Sequence, residues 1–187
     1  MNDVLKTIAE RSACRDYKDQ PVEREKIEAI VKAGLQAPSA LNKQPWKILA
    51  ITDKGLIDEI NDHVFDRIKS REDQTAYLRI MERGGKPYYN APVMILVLKR
   101  TDVVGEWDFI DCGIVVQNMA LAAQSLGLGN VIAAMTGTAF TRSEQKEEFM
   151  AKVSWPENYE FAIGMLVGYG NKSKEPHEID PDKVIFA

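Results

Sequence analysis

The sequence is poor in the residues from which proteins build disulfide frameworks and metal centres. Its 187 residues include only two cysteines and two histidines. Cys14 and Cys112 form no C-x-x-C pair, so neither a disulfide framework nor a zinc site is indicated. His63 and His177 are far apart and lack a partnering motif, which argues against a histidine metal site or a hydrolytic triad. A bound cofactor is therefore the more plausible source of chemistry.

The chain also lacks an excess of positive charge and any long apolar run. Its formal net charge is -4, which gives no electrostatic reason to expect nucleic acid or an anionic membrane as a partner. A transmembrane helix needs about eighteen apolar residues, and no run approaches that length. Asp3, Lys6 and Glu10 lie where a signal peptide needs an apolar core. We therefore expect a cytoplasmic protein with one domain over residues 1–187.

Hydrophobic periodicity predicts helices over residues 2–10, 23–36, 54–84 (divided near 70–73) and 105–127. Strands are predicted over residues 46–52, 91–98 and 161–169, and residues 130–135 are predicted to form a short strand or an extended loop. Thr141, with Glu144 three residues later, indicates a capping box that opens a helix running to Ala151. No G-x-G-x-x-G follows a strand and no Walker loop is present, so neither a Rossmann nor a P-loop site is indicated.

The predicted helix over residues 105–127 is apolar or small on almost every side from Ile110 to Leu126. Such a helix must be buried on all sides. One face can lie on the sheet and the other on a second copy of the chain, with Gly113, Ala120 and Ala123 permitting close approach, which predicts a homodimer. A central core helix in a monomer explains the same pattern, and both interpretations stay open on the pattern alone.

Two polar motifs occur in the first quarter of the chain. Arg11 and Arg15, beside Ser12, follow the first helix and can hold a phosphate through bidentate hydrogen bonds. Alternatively, they are solvated arginines paired with neighbouring carboxylates. The second motif, A-P-S-A-L-N-K-Q-P-W over residues 37–46, joins a helix to a strand. Its prolines stiffen the loop, and its serine and amide side chains suit the edge of a flat heterocycle. Alternatively, it is a turn with a helix cap at Ser39.

Taken together, A-P-S-x-x-N-x-Q-P-W and the upstream R-S-A-C-R resemble the flavin-dependent nitroreductase family, over nearly the whole chain. The resemblance implies an α+β fold with a mainly antiparallel central sheet of four to five strands, flanked by helices. It also implies a domain-swapped type of homodimer with FMN at the subunit interface. The implied reaction is ping-pong: NADH or NADPH transfers hydride to flavin N5 and leaves, and a small-molecule acceptor such as a nitroaromatic or quinone is then reduced. No side-chain acid or base is needed, so no catalytic residue is assigned.

The resemblance further implies which residues contact the cofactor. The family's R-x-S-x-R/K segment holds the phosphate and ribityl chain, and Ala13 replaces its middle serine here. Asn42 is implied near the pyrimidine edge, partly from the neighbouring subunit, and the backbone N–H of Ala134 is implied as the donor to N5. The full implied set is Arg11, Ser12, Ala13, Arg15, Pro38, Ser39, Asn42, Gln44, Lys86, Ala133, Ala134, Met135, Lys172 and Lys174.

Three alternatives to this function remain open at the level of sequence. One is a flavin-binding or regulatory module that does not turn over NAD(P)H. Another is a relative with different flavin chemistry, such as reductive dehalogenation. The third is a small domain without flavin, in which the motifs are ordinary turns and caps. The apolar C-terminal run from Val184 to Phe186 is expected to pack along the partner subunit.

Overall fold

The computed structural model describes residues 1–102, 105–172, 175 and 178–186. The described helices are α1 (Asp3–Glu10), α2 (Arg24–Leu35), α3 (Lys54–Lys69), α4 (Thr75–Met81), α5 (Asp108–Ser125), α6 (Thr138–Thr141) and α7 (Lys146–Lys152). The described strands are β1 (Trp46–Ile51), β2 (Val93–Arg100), β3 (Gly129–Ile132) and β4 (Tyr159–Gly168). Short 3-10 helices occur at Ala40–Asn42, Ala134–Gly137 and Pro181–Lys183.

The four described strands form one sheet in the order β1-β2-β4-β3, and every neighbouring pair is antiparallel. Strand β2 lies at the centre of the chain's apolar core and is buried along all but its last residue. Because successive side chains of a strand point to opposite faces, this run supplies both sides of the sheet. The predicted α+β class with an antiparallel sheet is confirmed.

Each face of the sheet carries its own layer of helices. Ile95 and Val97 point toward α2 and α5, where they join the cluster that contains Ile30 and Met119. Leu96 and its alternate neighbours point the other way, toward the apolar side chains of α3, α6 and α7. The result is a three-layer arrangement in which loops from both ends of the sheet remain accessible.

Local capping explains why two of these helices begin where they do. The side chain of Asn2 accepts a hydrogen bond from the Leu5 amide at 3.0 Å, and Asp53 accepts one from the Leu56 amide at 3.1 Å. Each bond satisfies one of the amides that a first helical turn leaves without a partner.

Among the described helices, none combines the length and apolar composition that a membrane span requires.

The predicted capping box at Thr141 is wrong. Thr141 ends α6 instead of opening a helix, and its hydroxyl donates to the Gly137 carbonyl at 2.8 Å. Gln145 is the residue that precedes α7, and its amide donates to the Oγ of Ser143 at 2.9 Å. Two short helices, α6 and α7, separated by residues 142–145, therefore replace the one helix that the T-x-x-E pattern indicated.

Helix α5 is not buried on all sides within the single chain, and two of the three small residues expected at a dimer contact face inward. Ala120 and Ala123 are fully buried against the core of their own chain, so they are not available for close approach by a second copy. Gly113 does lie on the open side, where an added Cβ would meet nothing within 4 Å. Phe109 and Ile110 are 59% and 56% exposed. The single chain thus leaves one apolar face of α5 uncovered.

Candidate cofactor site

One cavity brings together residues from three distant parts of the sequence. It has a volume of about 500 Å³ and lies beside the start of β2 and the end of β4. Its lining residues are Ala13, Cys14, Arg15, Asp16, Glu82, Arg83, Gly84, Lys86, Tyr89, Asn90 and Lys172. Four of the predicted cofactor contacts, Ala13, Arg15, Lys86 and Lys172, are therefore neighbours in the fold.

Backbone pairing holds the first segment of this cavity against the sheet. Ala13 forms a parallel bridge with Asn130, and Tyr17 forms an antiparallel bridge with Gly170. The Cys14 amide donates to the Asn130 carbonyl at 2.8 Å. A Cβ added at Gly129 would lie 2.7 Å from the Cys14 Sγ, so only glycine permits this approach. Residues 13–17 thus extend the sheet and carry Arg15 to the cavity.

The turn after α4 supplies the opposite wall. Asn61, which is buried, accepts a hydrogen bond from the Tyr88 amide through its Oδ1 at 3.0 Å. Tyr89 and Asn90 have φ values of 55° and 61°, in the left-handed region that non-glycine residues seldom adopt. Such outliers persist only where the surrounding structure enforces them, and they concentrate at functional sites. The turn places Lys86 and Tyr89 on the cavity.

Positive charge predominates in the cavity lining. The lining includes four cationic residues, Arg15, Arg83, Lys86 and Lys172, and only two carboxylates, those of Asp16 and Glu82. Asp16 accepts from the Asn171 amide group at 2.8 Å. In the described part of the chain, neither Arg15 nor Lys86 forms an ion pair. Accessible cations without partners form a donor set that fits a phosphate.

Not every predicted residue reaches this cavity. Arg11 caps the C-terminal end of α1, and neither it nor Ser12 is among the lining residues. Lys174 lies outside the described residues. Sequence reasoning also missed Arg83 and Asn90. The Gly84-Gly85 break marked the turn that carries them, but only the fold shows that this turn approaches residues 13–16.

The predicted backbone donor segment has a fixed geometry. The Ala133 amide donates to the Gly164 carbonyl at 2.8 Å, and the Thr136 Oγ1 donates to the Ala133 carbonyl at 2.7 Å. Ala134 and Met135 begin a 3-10 helix, whose first amides have no acceptor within the helix. Neither amide has an acceptor elsewhere among the residues that the structure describes. They are therefore available to an incoming acceptor atom.

The side chain of Tyr88 forms a hydrogen bond with this segment. Its hydroxyl donates to the Met135 carbonyl at 3.3 Å, and its side chain is 1% exposed. Burial raises the pKa of Tyr88 well above its usual value, so the hydroxyl stays protonated and remains a donor. The bond holds the peptide that joins Met135 to Thr136, directly after the two free amides. The Ala134 amide shares its own peptide plane with the Ala133 carbonyl, which accepts from Thr136 Oγ1 and from the Thr136 amide.

The loop over residues 38–44 is held in a strained conformation. Leu41, Asn42 and Gln44 all have positive φ values, between 46° and 54°. The Gln44 amide donates to Ser39 Oγ at 2.9 Å, and the Gln44 side chain donates to Asn42 Oδ1 at 2.9 Å. The Asn42 side-chain NH₂ group is consequently left to donate outward. The rigid frame expected from the two prolines is present, although Ser39 bonds across the loop rather than capping the 3-10 helix.

This loop and the basic cavity lie at opposite ends of the sheet. The loop leads into β1, whose first residue, Trp46, pairs with Lys99 near the end of β2. The cavity lies near Val93 at the other end of β2. An extended residue advances about 3.3 Å, so the ends of this eight-residue strand are roughly 23 Å apart. Within one chain, Asn42 and Lys86 therefore belong to separate surfaces.

Comparison with known proteins shows the family to which this chain belongs. The model of the Nitroreductase family matches residues 8–169. The chain therefore belongs to the Nitroreductase family, and the resemblance seen in the motifs is confirmed.

Particular relatives support the same conclusion. A crystal structure of a nitroreductase with bound FMN from Desulfitobacterium hafniense superposes with a TM-score of 0.94 and 41% identity, covering 100% of this chain and 99% of that chain. A protein of Archaeoglobus fulgidus, provisionally named NADH dehydrogenase/NAD(P)H nitroreductase, is 27% identical over 98% of this chain and 97% of its own length. The nitrobenzene nitroreductase of Ectopseudomonas oleovorans is 26% identical over 95% of this chain and 91% of its own length.

Proposed function

We propose that this protein is an NAD(P)H-dependent FMN oxidoreductase that reduces nitroaromatics, quinones or similar acceptors. The observation that carries the proposal is the convergence of Arg15, Lys86 and Lys172 on one cavity. Family membership supports it, as does the similarity to a nitroreductase that contains FMN. When bound, FMN would accept a hydride from NAD(P)H and pass two electrons to the acceptor, which takes up two protons as it is reduced.

The residues of this chain would bind and orient the cofactor. Arg15, Lys86 and Lys172 would hold the phosphate. The Ala134 and Met135 amides would donate to the ring nitrogen that receives the hydride, stabilising negative charge on the reduced ring. Thr136 would keep the Ala134 amide aligned through the Ala133 carbonyl, and Tyr88 would hold the peptide that follows Met135. No side chain is assigned a proton transfer, so proton uptake would come from water.

A homodimer would reunite the separated groups of site residues. Asn42, Ser39 and Gln44 would reach the cofactor from the partner subunit, because their loop lies at the far end of their own sheet. The exposed apolar side chains of α1 and α5 support this arrangement, since a monomer seldom leaves such a band open. They are Val4, Leu5, Ile8, Phe109 and Ile110. We also propose a cytoplasmic location.

The visible absorption spectrum of the purified protein tests this function directly. We expect a flavin spectrum that bleaches when NADH or NADPH is added anaerobically and returns when a nitroaromatic or a quinone is added. A bound flavin that neither nicotinamide reduces would instead identify a flavin-binding module without NAD(P)H turnover. A colourless protein that takes up no added FMN would overturn the proposal.

A further inference from the structure

A second cavity lies beside the backbone donor segment. It has a volume of about 270 Å³ and is separate from the basic cavity at the end of the sheet. Its lining residues are Ile68, Arg71, Ala76, Ala134, Met135, Thr138, Thr141, Arg142 and Phe161. Ala134 and Met135 therefore face a pocket of their own, in addition to being the proposed donors to the ring.

The lining of this cavity combines apolar walls with positive charge. Ile68, Met135 and Phe161 supply apolar surface, whereas Arg71 and Arg142 contribute two guanidinium groups. No lining residue carries a carboxylate. Small-molecule pockets generally have this composition, with mostly apolar walls and a few charged groups that fix orientation.

Within the described part of the chain, neither guanidinium is held by a direct contact. Among the described residues, neither the Arg71 nor the Arg142 side chain forms a hydrogen bond or an ion pair. Hydrogen bonds with Thr75 lower the pKa of Asp73, and the charge of Arg71 nearby lowers it further. Asp73 directs its Oδ1 to the Thr75 amide at 2.9 Å and forms no ion pair with Arg71. Both arginines are exposed, so a ligand that enters the cavity can reach their guanidinium groups.

We propose that this cavity binds the electron acceptor and selects planar aromatic acceptors that carry an anionic substituent, such as a carboxylate. This inference rests on the proposed function, because it places the reducible group beside the Ala134 and Met135 amides. Arg71 and Arg142 would bind the anion, and Met135 and Phe161 would contact the ring. Pockets for drug-sized ligands begin at about 300 Å³, so the cavity suits a compound of one or two rings better than a dinucleotide.

Two nearly isosteric compounds test the inference. The acceptors 4-nitrobenzoate and 4-nitrobenzamide share a ring and a nitro group but differ in charge. With the FMN-loaded enzyme, we expect kcat/KM to be roughly tenfold or more higher for the benzoate, since hydrogen bonds to charged groups are among the stronger ones in proteins. In the double variant Arg71→Gln, Arg142→Gln, the ratio of the two values should fall close to one.

Binding provides a readout that does not depend on turnover. Benzoate and benzamide, which cannot be reduced by this route, are titrated into the oxidised holoprotein, and the change in the flavin absorption spectrum is followed. We expect benzoate to bind at least tenfold more tightly, and the double variant to lose that preference. The control is Arg79→Gln, which removes the same charge from α4 but lines neither cavity. It should keep the preference.

The possible outcomes separate this inference from the proposed function. Equal use and equal binding of the charged and neutral compounds by the unmodified enzyme would overturn the inference while leaving the oxidoreductase function intact. A double variant that loses preference for NADPH over NADH, with its acceptor ratio unaltered, would also overturn it and assign the anion to the NADPH phosphate. Failure to reduce either acceptor, with no bleaching by NAD(P)H, would contradict the proposed function itself.

Discussion

Arg15 and Lys86 come from opposite walls of the basic cavity and carry charges that no neighbouring carboxylate neutralises within the described chain. The side chains of Arg15 and Lys86 are expected to contribute little to the free energy of unfolding, because charged groups at the surface without partners add little stability. They can contribute much to binding a phosphate, whose oxygens accept charge-assisted hydrogen bonds. Affinity for the cofactor and stability of the apoprotein should therefore respond differently to their replacement.

The double variant Arg15→Gln, Lys86→Gln is expected to weaken FMN binding by roughly tenfold to a hundredfold per lost charge, from about 1.5–3 kcal/mol for each charged hydrogen bond. Fluorescence titration of the apoprotein with FMN measures the change. Lys18→Gln is the matched control, because Lys18 is exposed and does not line the cavity. Unchanged FMN affinity in the double variant would remove the phosphate assignment.

Tyr88→Phe is expected to slow reduction of the bound FMN by NAD(P)H, because the peptide that follows Met135 loses the hydrogen bond that holds it beside the donor segment. It should also lower the free energy of unfolding by about 1 kcal/mol, the usual contribution of one hydrogen bond. Rapid-mixing absorbance and chemical denaturation measure the two effects.

The matched control is Tyr77→Phe. Tyr77 is half-buried against Phe65, and its hydroxyl has no partner among the described residues. If Tyr88→Phe lowered stability but left the reduction rate at that of Tyr77→Phe, Tyr88 would have a structural role only.

At the scale of elements, helix α5 combines two tasks on two faces. Val115 and Met119 pack on the sheet and α2, whereas Phe109 and Ile110 remain largely exposed. A uniform apolar pattern cannot indicate which face meets the chain itself and which meets a partner. The assignment of faces comes from the crossing of α5 over the sheet, which depends on all the strands.

Ile110→Asp is expected to dissociate the proposed dimer. Burial of one isoleucine contributes about 1.5–3 kcal/mol, and symmetry doubles the effect, so the dimer dissociation constant should rise by at least roughly a hundredfold. Size-exclusion chromatography with light scattering measures the mass, and retained FMN should fall in parallel. Leu78→Asp, on α4, is the control because Leu78 is similarly exposed, at 57%. An unmodified protein that is monomeric yet retains FMN would contradict the intersubunit site.

At the scale of the whole molecule, the core contains several groups that folding keeps protonated. Burial raises the pKa of Cys112 to about 12, and it raises the pKa of Tyr17 and Tyr88 above their usual values. In the unfolded chain these groups ionise at lower pH, so the unfolded state binds fewer protons under alkaline conditions. Their stabilising contribution is complete below the unfolded pKa values and declines as pH rises above them.

The free energy of unfolding should therefore begin to fall above about pH 9 and fall more steeply above about pH 10, by up to roughly 1.4 kcal/mol per pH unit for each group. Denaturant titrations between pH 8 and pH 11 measure this slope. Tyr17→Phe should make the slope shallower above pH 10. A slope that Tyr17→Phe leaves unaltered would show that other groups cause the alkaline instability.

By itself, the sequence determined the elements and the family. Strong periodicity placed α1, α2, β1, β2 and β4 within a few residues of their observed bounds, because apolar spacing is set locally by burial on one or two faces. It also placed the loop over residues 38–44 and the segment that contains Arg15. Proline restricts the backbone locally, and the hydrogen-bonding groups of serine and arginine can be recognised from the sequence alone. The T-x-x-E pattern at Thr141 failed because capping depends on where the preceding helix ends.

Only the tertiary structure decided which of these segments meet. Arg83, Tyr89 and Asn90 joined the cavity because antiparallel pairing brings the start of β2 beside the end of β4. Arg71 and Arg142 came together beside Met135 through the packing of α3 and α6 on the same face of the sheet. Pairings over such sequence distances depend on the register of every intervening strand, and no local spacing in the chain records them.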